Sequence, residues 1–97
     1  MIKYVVKANT SHKFRVDSAE VPVSLQLCGN WEGGELTLKA SLNERVFEFV
    51  DGDAENYTFD SNGLFSIGDN LSGHHVKLTM TGGTPQTEVE VLIYTQA

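Results

Sequence analysis

A single cysteine stands in a chain of 97 residues, and that scarcity closes off a class of protein. A lone Cys28 has no internal partner, so a small extracellular scaffold stapled by disulfides is excluded and synthesis in a reducing cytosol fits. No apolar run approaches the roughly 20 residues of a membrane helix, so no membrane partner is expected. The apolar Tyr4–Val6 stretch is far shorter than the core of a signal peptide, and no small-residue cleavage site follows it. The three Asn-X-Ser/Thr triplets, at Asn9, Asn56 and Asn70, are then read as turns and not as glycosylation sites.

Positive charge is also scarce. Seven basic against thirteen acidic side chains leave a net charge of −6, which repels phosphate backbones and argues against nucleic acid as a partner. Phosphate-cradling motifs are missing: there is neither G-x-x-x-x-G-K-[ST] nor a G-x-G-x-x-G opening a helix. Nucleophile signatures are missing too, with no G-x-S-x-G elbow and no local cysteine-protease pattern around Cys28. No cofactor and no catalytic residues are expected.

What the chain does have is alternation. Val23, Leu25 and Leu27 alternate with polar or small neighbours, as do Leu36, Leu38 and Ala40, then Val76, Leu78 and Met80, and last Val89, Val91 and Ile93. Side chains two apart on a strand share a face, so each run has a dry side and a wet side. Less regular strands are expected at Ile2–Lys7, Lys13–Val16, Val46–Val50 with Phe47 and Phe49 as a core pair, Tyr57–Phe59 and Leu64–Ile67. Short turn clusters separate them, among them Gly29-Asn30, Gly33-Gly34, Asn62-Gly63 and Gly82-Gly83, where glycine supplies the positive φ of tight hairpins. No stretch repeats apolar residues at i, i+3, i+4 and i+7, so no long helix is expected; residues 17–20 have room for a single turn.

About eight or nine short strands with frequent turns predict an all-β fold: one small antiparallel β-sandwich, jelly-roll or immunoglobulin-like, over residues 1–97. With 40% hydrophobic residues, a chain this short supports one core and a water-soluble globule.

Charge is unevenly spread. Residues 1–16 sum to +4 and residues 44–60 to −5. Residues 1–22 therefore read as a basic docking arm or edge strand facing an acidic partner or a neighbouring copy; two oppositely charged strands paired within one domain are the plainer alternative. Asp51-Gly-Asp-Ala-Glu-Asn56 opens like a calcium loop but has Asn56 where the sixth-position glycine belongs and Asn62 where a bidentate glutamate belongs. It reads as an acidic surface hairpin and not as a metal site. Adjacent His74 and His75 would point to opposite faces of a strand and cannot share a metal without a distant third ligand. Cys28, next to Leu27, is expected to be a partly buried small residue. Trp31 reads as a cap on the core, with sugar stacking as its alternative.

From Gly29 onward the chain resembles a group of short tailed-bacteriophage virion proteins. The residues that bear the likeness are Gly29–Ser41 (GNWEGGELTLKAS), Phe59–Ile67 (FDSNGLFSI), Val76–Thr84 (VKLTMTGGT) and the closing β-run; residues 1–22 do not follow that layout. The resemblance implies a structural role as a capsid decoration (cement), head-fibre or tail-associated component, commonly trimeric. On that basis the expected partner is a major capsid protein and the expected location is the capsid surface of a virion made in the host cytoplasm. Burial of apolar residues left on outer strand faces would drive trimer formation. The expected contact residues are Lys3, Tyr4, Val6, Lys7, Lys13, Arg15, Leu92 and Tyr94. The rival reading is a carbohydrate-binding or host-adsorption module, with Trp31, Tyr57 and His75 as its platform.

Overall fold

Alternation becomes layering as soon as two such strands pair and their dry sides fall together. The computed structural model describes residues 1–96; Ala97, the last residue of the expected domain, lies outside them. Eight strands form: β1 (Ile2–Lys7), β2 (Ser11–Arg15), β3 (Val21–Asn30), β4 (Glu35–Ser41), β5 (Thr58–Phe59), β6 (Gly63–Ser66), β7 (His75–Thr81) and β8 (Glu88–Gln96). Helical geometry is confined, among the described residues, to 3-10 turns at Val50–Gly52 and Glu55–Tyr57. The turn expected at 17–20 is not helical: the Asp17 carboxylate accepts the amides of Ala19 and Glu20 and closes a local turn instead.

Two four-stranded antiparallel sheets result, one ordered β1-β8-β3-β6 (sheet A) and the other β2-β7-β4-β5 (sheet B). The pairs β1–β8, β2–β7, β3–β6 and β4–β5 are nested like the two arms of one long hairpin. Rolling that hairpin adds β3–β8 and β4–β7. The topology is a jelly roll, so the immunoglobulin-like alternative falls away. Every connection except β4–β5 passes from one sheet to the other. The glycine turns are therefore mostly arches between layers and not hairpins, because the strands that pair are remote in sequence.

The dry faces meet as expected except at Val23, which the irregularity between Pro22 and Ser24 takes out of phase with Leu25 and Leu27. Leu25, Leu27, Val89, Val91 and Ile93 from sheet A pack with Leu36, Leu38, Val76, Leu78 and Met80 from sheet B, all essentially inaccessible to water. Each such side chain contributes about 1.5–3 kcal/mol by leaving water. A bulge between Pro22 and Ser24 lets β3 turn both Pro22 and Leu25 inward, and proline suits a bulge because it has no amide to leave unpaired.

The strand expected at Val46–Val50 does not form. Ser41 Oγ accepts the amides of Asn43 and Glu44, and Asn43 Oδ1 accepts those of Arg45 and Val46. These local bonds, with Glu44 at φ 63°, hold the backbone in turns and leave a single bridge between Ala40 and Glu48. Phe47 and Phe49 alternate about that bridge but face outward over sheet B, half-buried, with Lys77 Nζ 5.5 Å from the Phe47 ring centre and Lys39 Nζ 4.8 Å from that of Phe49. Phe49 still packs against the core.

Gly29 is a strand residue and not a turn residue. It lies opposite Val89, and a Cβ there would strike the Glu88 carbonyl oxygen and come within 2.8 Å of Val89 Cα. The missing side chain is what lets β3 approach β8. Gly29→Ala is expected to lower stability by about 1–3 kcal/mol, the range for overpacking, measured as a fall in the urea midpoint at unchanged slope. Gly68→Ala, with open space around the added methyl, should stay within about 0.5 kcal/mol of the parent.

Candidate functional site

The eight residues expected to meet a partner fall into three environments. Val6 is fully buried in the core, and Tyr4 is half-buried beside it, its ring stacked 5.9 Å from Phe14 and 4.7 Å from His12. Both point inward because β1 turns its even-numbered residues toward sheet B, so neither is left over for a partner. Lys3, Lys7, Leu92 and Tyr94 lie on the outer face of sheet A; Lys13 and Arg15 lie on the outer face of sheet B.

On sheet A the register sets Lys3, Leu92, Gln26 and Leu64 side by side across four strands, with Val5, Glu90 and Cys28 in the row on one side and Tyr94, Ser24 and Ser66 on the other. Leu64, Tyr94 and Val5 are 74%, 50% and 43% exposed. Lys3 reaches Glu90 at 3.3 Å, and Lys7 lies opposite Glu88. Cys28 is exposed on this face, not partly buried as expected, because it is out of phase with the buried Leu27. The basic segment 1–16 thus pairs with β8 and β7, and of its contacts with the acidic stretch 44–60 the ion pair Lys13–Glu44, at 3.9 Å, is the salient one.

On sheet B, Lys13, Lys77 and Lys39 are direct cross-strand neighbours on β2, β7 and β4. Arg15 and His75 pair in the next row, and Ser11, Thr79, Thr37 and Thr58 form a row of hydroxyls on the other side. Thr37, Lys39, Arg45, Phe47, Lys77 and Thr79 line an open depression of about 390 Å³. Glu44 reaches in from the β4–β5 loop, 3.9 Å from Lys13 and 4.0 Å from His75 Nδ1. His74 turns away from this face and bonds the Ser72 carbonyl through Nδ1 at 3.0 Å.

Trp31, Tyr57 and His75 do not make a platform. Trp31 is 9% exposed, and its Nε1–H donates to Asn62 Oδ1 at 2.8 Å. The same oxygen accepts the Gly29 amide at 2.9 Å, so Asn62 clasps the β3–β4 arch to the β5–β6 arch. Tyr57 is 3% exposed, and its hydroxyl donates to Asp69 Oδ2 at 2.6 Å. The stretch 51–56 forms turns in which Asp53 accepts the amide and side-chain N–H of Asn56. Among the described residues no three His, Cys, Asp or Glu side chains converge as a metal site.

No family model, no curated protein and no solved structure matches the chain.

Burial raises the Tyr57 phenol well above the ordinary tyrosine range, and the hydrogen bond and negative charge of Asp69 raise it further. The folded chain therefore holds this proton more tightly than the unfolded one. That contribution to stability is complete below a pH of about 10 and declines by up to about 1.4 kcal/mol per pH unit above it. Tyr57→Phe should be less stable by about 1–3 kcal/mol near neutrality, having stranded Asp69. The gap between the two proteins should narrow as urea titrations are repeated from about pH 9 to about pH 11, across the ordinary tyrosine range.

Proposed function

We propose that this chain is a non-enzymatic structural protein that assembles through the outer face of sheet A, as a decoration protein on a bacteriophage capsid. The observation that carries the reading is the set of exposed apolar side chains Leu64, Tyr94 and Val5 on that face, with half-buried Leu92 among them and Lys3, Lys7, Glu88 and Glu90 interspersed. Exposed apolar side chains set among paired charges suit a protein–protein contact. The likeness of Gly29–Ser41, Phe59–Ile67 and Val76–Thr84 to phage virion proteins supplies the class of partner: a major capsid protein, with copies of the chain around a symmetry axis.

A sheet face suits this task. Its side chains are fixed by cross-strand pairing, so little conformational entropy is lost when the face is covered. Lys3 and Lys7 on β1, opposite Leu92 and Glu88 on β8 and beside Glu90, give the face alternating charges that set the register of a contact more than its strength. The role is stabilisation of joints between capsomers, and it needs no group that exchanges protons or electrons.

Leu64 protrudes and supports little of the fold, which makes it the position of choice for a test. Leu64→Lys should leave the unfolding midpoint nearly unchanged while weakening association by about tenfold or more, the equivalent of about 1.5–3 kcal/mol of lost apolar burial. Sedimentation velocity of the parent should show a closed oligomer, with a trimer expected, and co-sedimentation with capsid shells should protect Cys28 from maleimide. A parent that stays monomeric and leaves Cys28 fully reactive in the presence of shells overturns the proposal.

A further inference from the structure

We propose that the outer face of sheet B is a binding site for a short acidic oligosaccharide, a sugar chain bearing carboxylate or sulfate groups. The inference stands apart from the assembly role of sheet A and does not depend on it.

The starting point is a local conflict. Like charges directly opposite one another across strands destabilise a sheet, yet Lys13, Lys77 and Lys39 occupy one transverse row on β2, β7 and β4. With strands about 4.8 Å apart, three ammonium stems share a span of about 10 Å. Arg15 and Arg45 flank the same face, so five of the chain's seven basic residues gather on one side of a molecule whose net charge is −6. A feature that breaks a local rule without serving the core marks a place where a ligand supplies the missing term.

The lysines are also held in place. Lys77 lies over Phe47 and Lys39 over Phe49, at 5.5 and 4.8 Å from the ring centres. These contacts reduce the freedom two long side chains would lose on binding. A carboxylate already sits at one end: Glu44 lies between Lys13 and His75, which shows the kind of group the row receives.

Three features select a sugar over other anions. The hydroxyl row Ser11, Thr79, Thr37 and Thr58 runs beside the lysine row, giving neutral donors and acceptors next to point charges, as a hydroxylated acidic ring requires. The depression between them is open and has about 390 Å³ of space, room for one or two sugar rings of a chain that lies across the face. Single-strand nucleic acid sites typically stack bases on free aromatic faces, but here each ring carries an ammonium group over it.

The probe is a sulfated, uronate-containing hexasaccharide titrated into the full chain by calorimetry at low salt. A neutral hexasaccharide, a hexanucleotide and inorganic sulfate serve as parallel arms. Binding of the acidic hexasaccharide alone, weakened at least tenfold by Lys39→Gln and by Lys77→Gln and unaffected by Leu64→Lys, is the expected result. Thr37→Val should reduce affinity for the hexasaccharide several-fold. An independent readout guards against misfolding: the lysine variants should keep a thermal midpoint close to that of the parent, since the repulsion each relieves within the row offsets the cation–π contact it loses. The proposal is overturned if the acidic hexasaccharide does not bind, if the hexanucleotide or sulfate binds as well as it does, or if both lysine variants bind like the parent.

Discussion

The pairing of β3 with β8 is the constraint on which the rest of this molecule rests. Without it the chain is a long, flat, double-stranded hairpin whose dry sides have nothing to face. With it, β8 lies between β1 and β3, sheet A closes over sheet B, and Leu25, Leu27, Val89, Val91 and Ile93 are covered together. The pairing is also close: at Gly29 the two backbones approach within a distance that no side chain would permit. The energy that holds the layers together and the geometry that lets the strands meet therefore lie in the same ladder.

That closure divides the surface into two faces of different chemistry. The outer side of sheet A alternates apolar residues with paired charges, so charge there is locally neutralised and burial is the available driving force. The outer side of sheet B gathers lysines without enough carboxylates to match them, so electrostatics is the available driving force. Neither property belongs to any one strand. Each β-strand donates one or two side chains to a row, and the rows exist because the nested pairing brings β2, β7 and β4 together from far apart in the chain.

The same reasoning explains how much is legible in the sequence. Period-two alternation identifies the dry faces of β3, β4, β7 and β8 with their inward residues, because that period is a local property; it fails at Val23, where the bulge next to Pro22 breaks the phase. It also places Phe47 and Phe49 on one common face. It offers no means of telling which face is inward, and the Ser41 and Asn43 turns that decide the matter take the loop off the sheet. Tyr4 and Val6 group with outward residues for a similar reason: an edge strand with apolar residues at 2, 4, 5 and 6 reads ambiguously until β8 lies beside it. Trp31 reads as a cap on local grounds, but its fastening to Asn62, across two arches, has no local signature. The lysine row leaves no trace in the linear charge pattern, since its members are far apart in the chain and the net charge has the opposite sign.

The two ends of the roll complete the division of labour. At one end, Asn62 joins Gly29 and Trp31, while the Thr87 hydroxyl donates to the Trp31 carbonyl and accepts the Thr84 amide. At the other, Tyr57 bonds Asp69, and Val16 exchanges backbone bonds with His74 and Gly73. These contacts tie arches to arches and turn the aromatic residues that sequence reasoning offers for sugar stacking into fastenings. With Trp31 and Tyr57 committed to closing the ends, the side chains left for any outside contact are those the sheets present outward: apolar area among paired charges on one side and positive charge beside hydroxyls on the other.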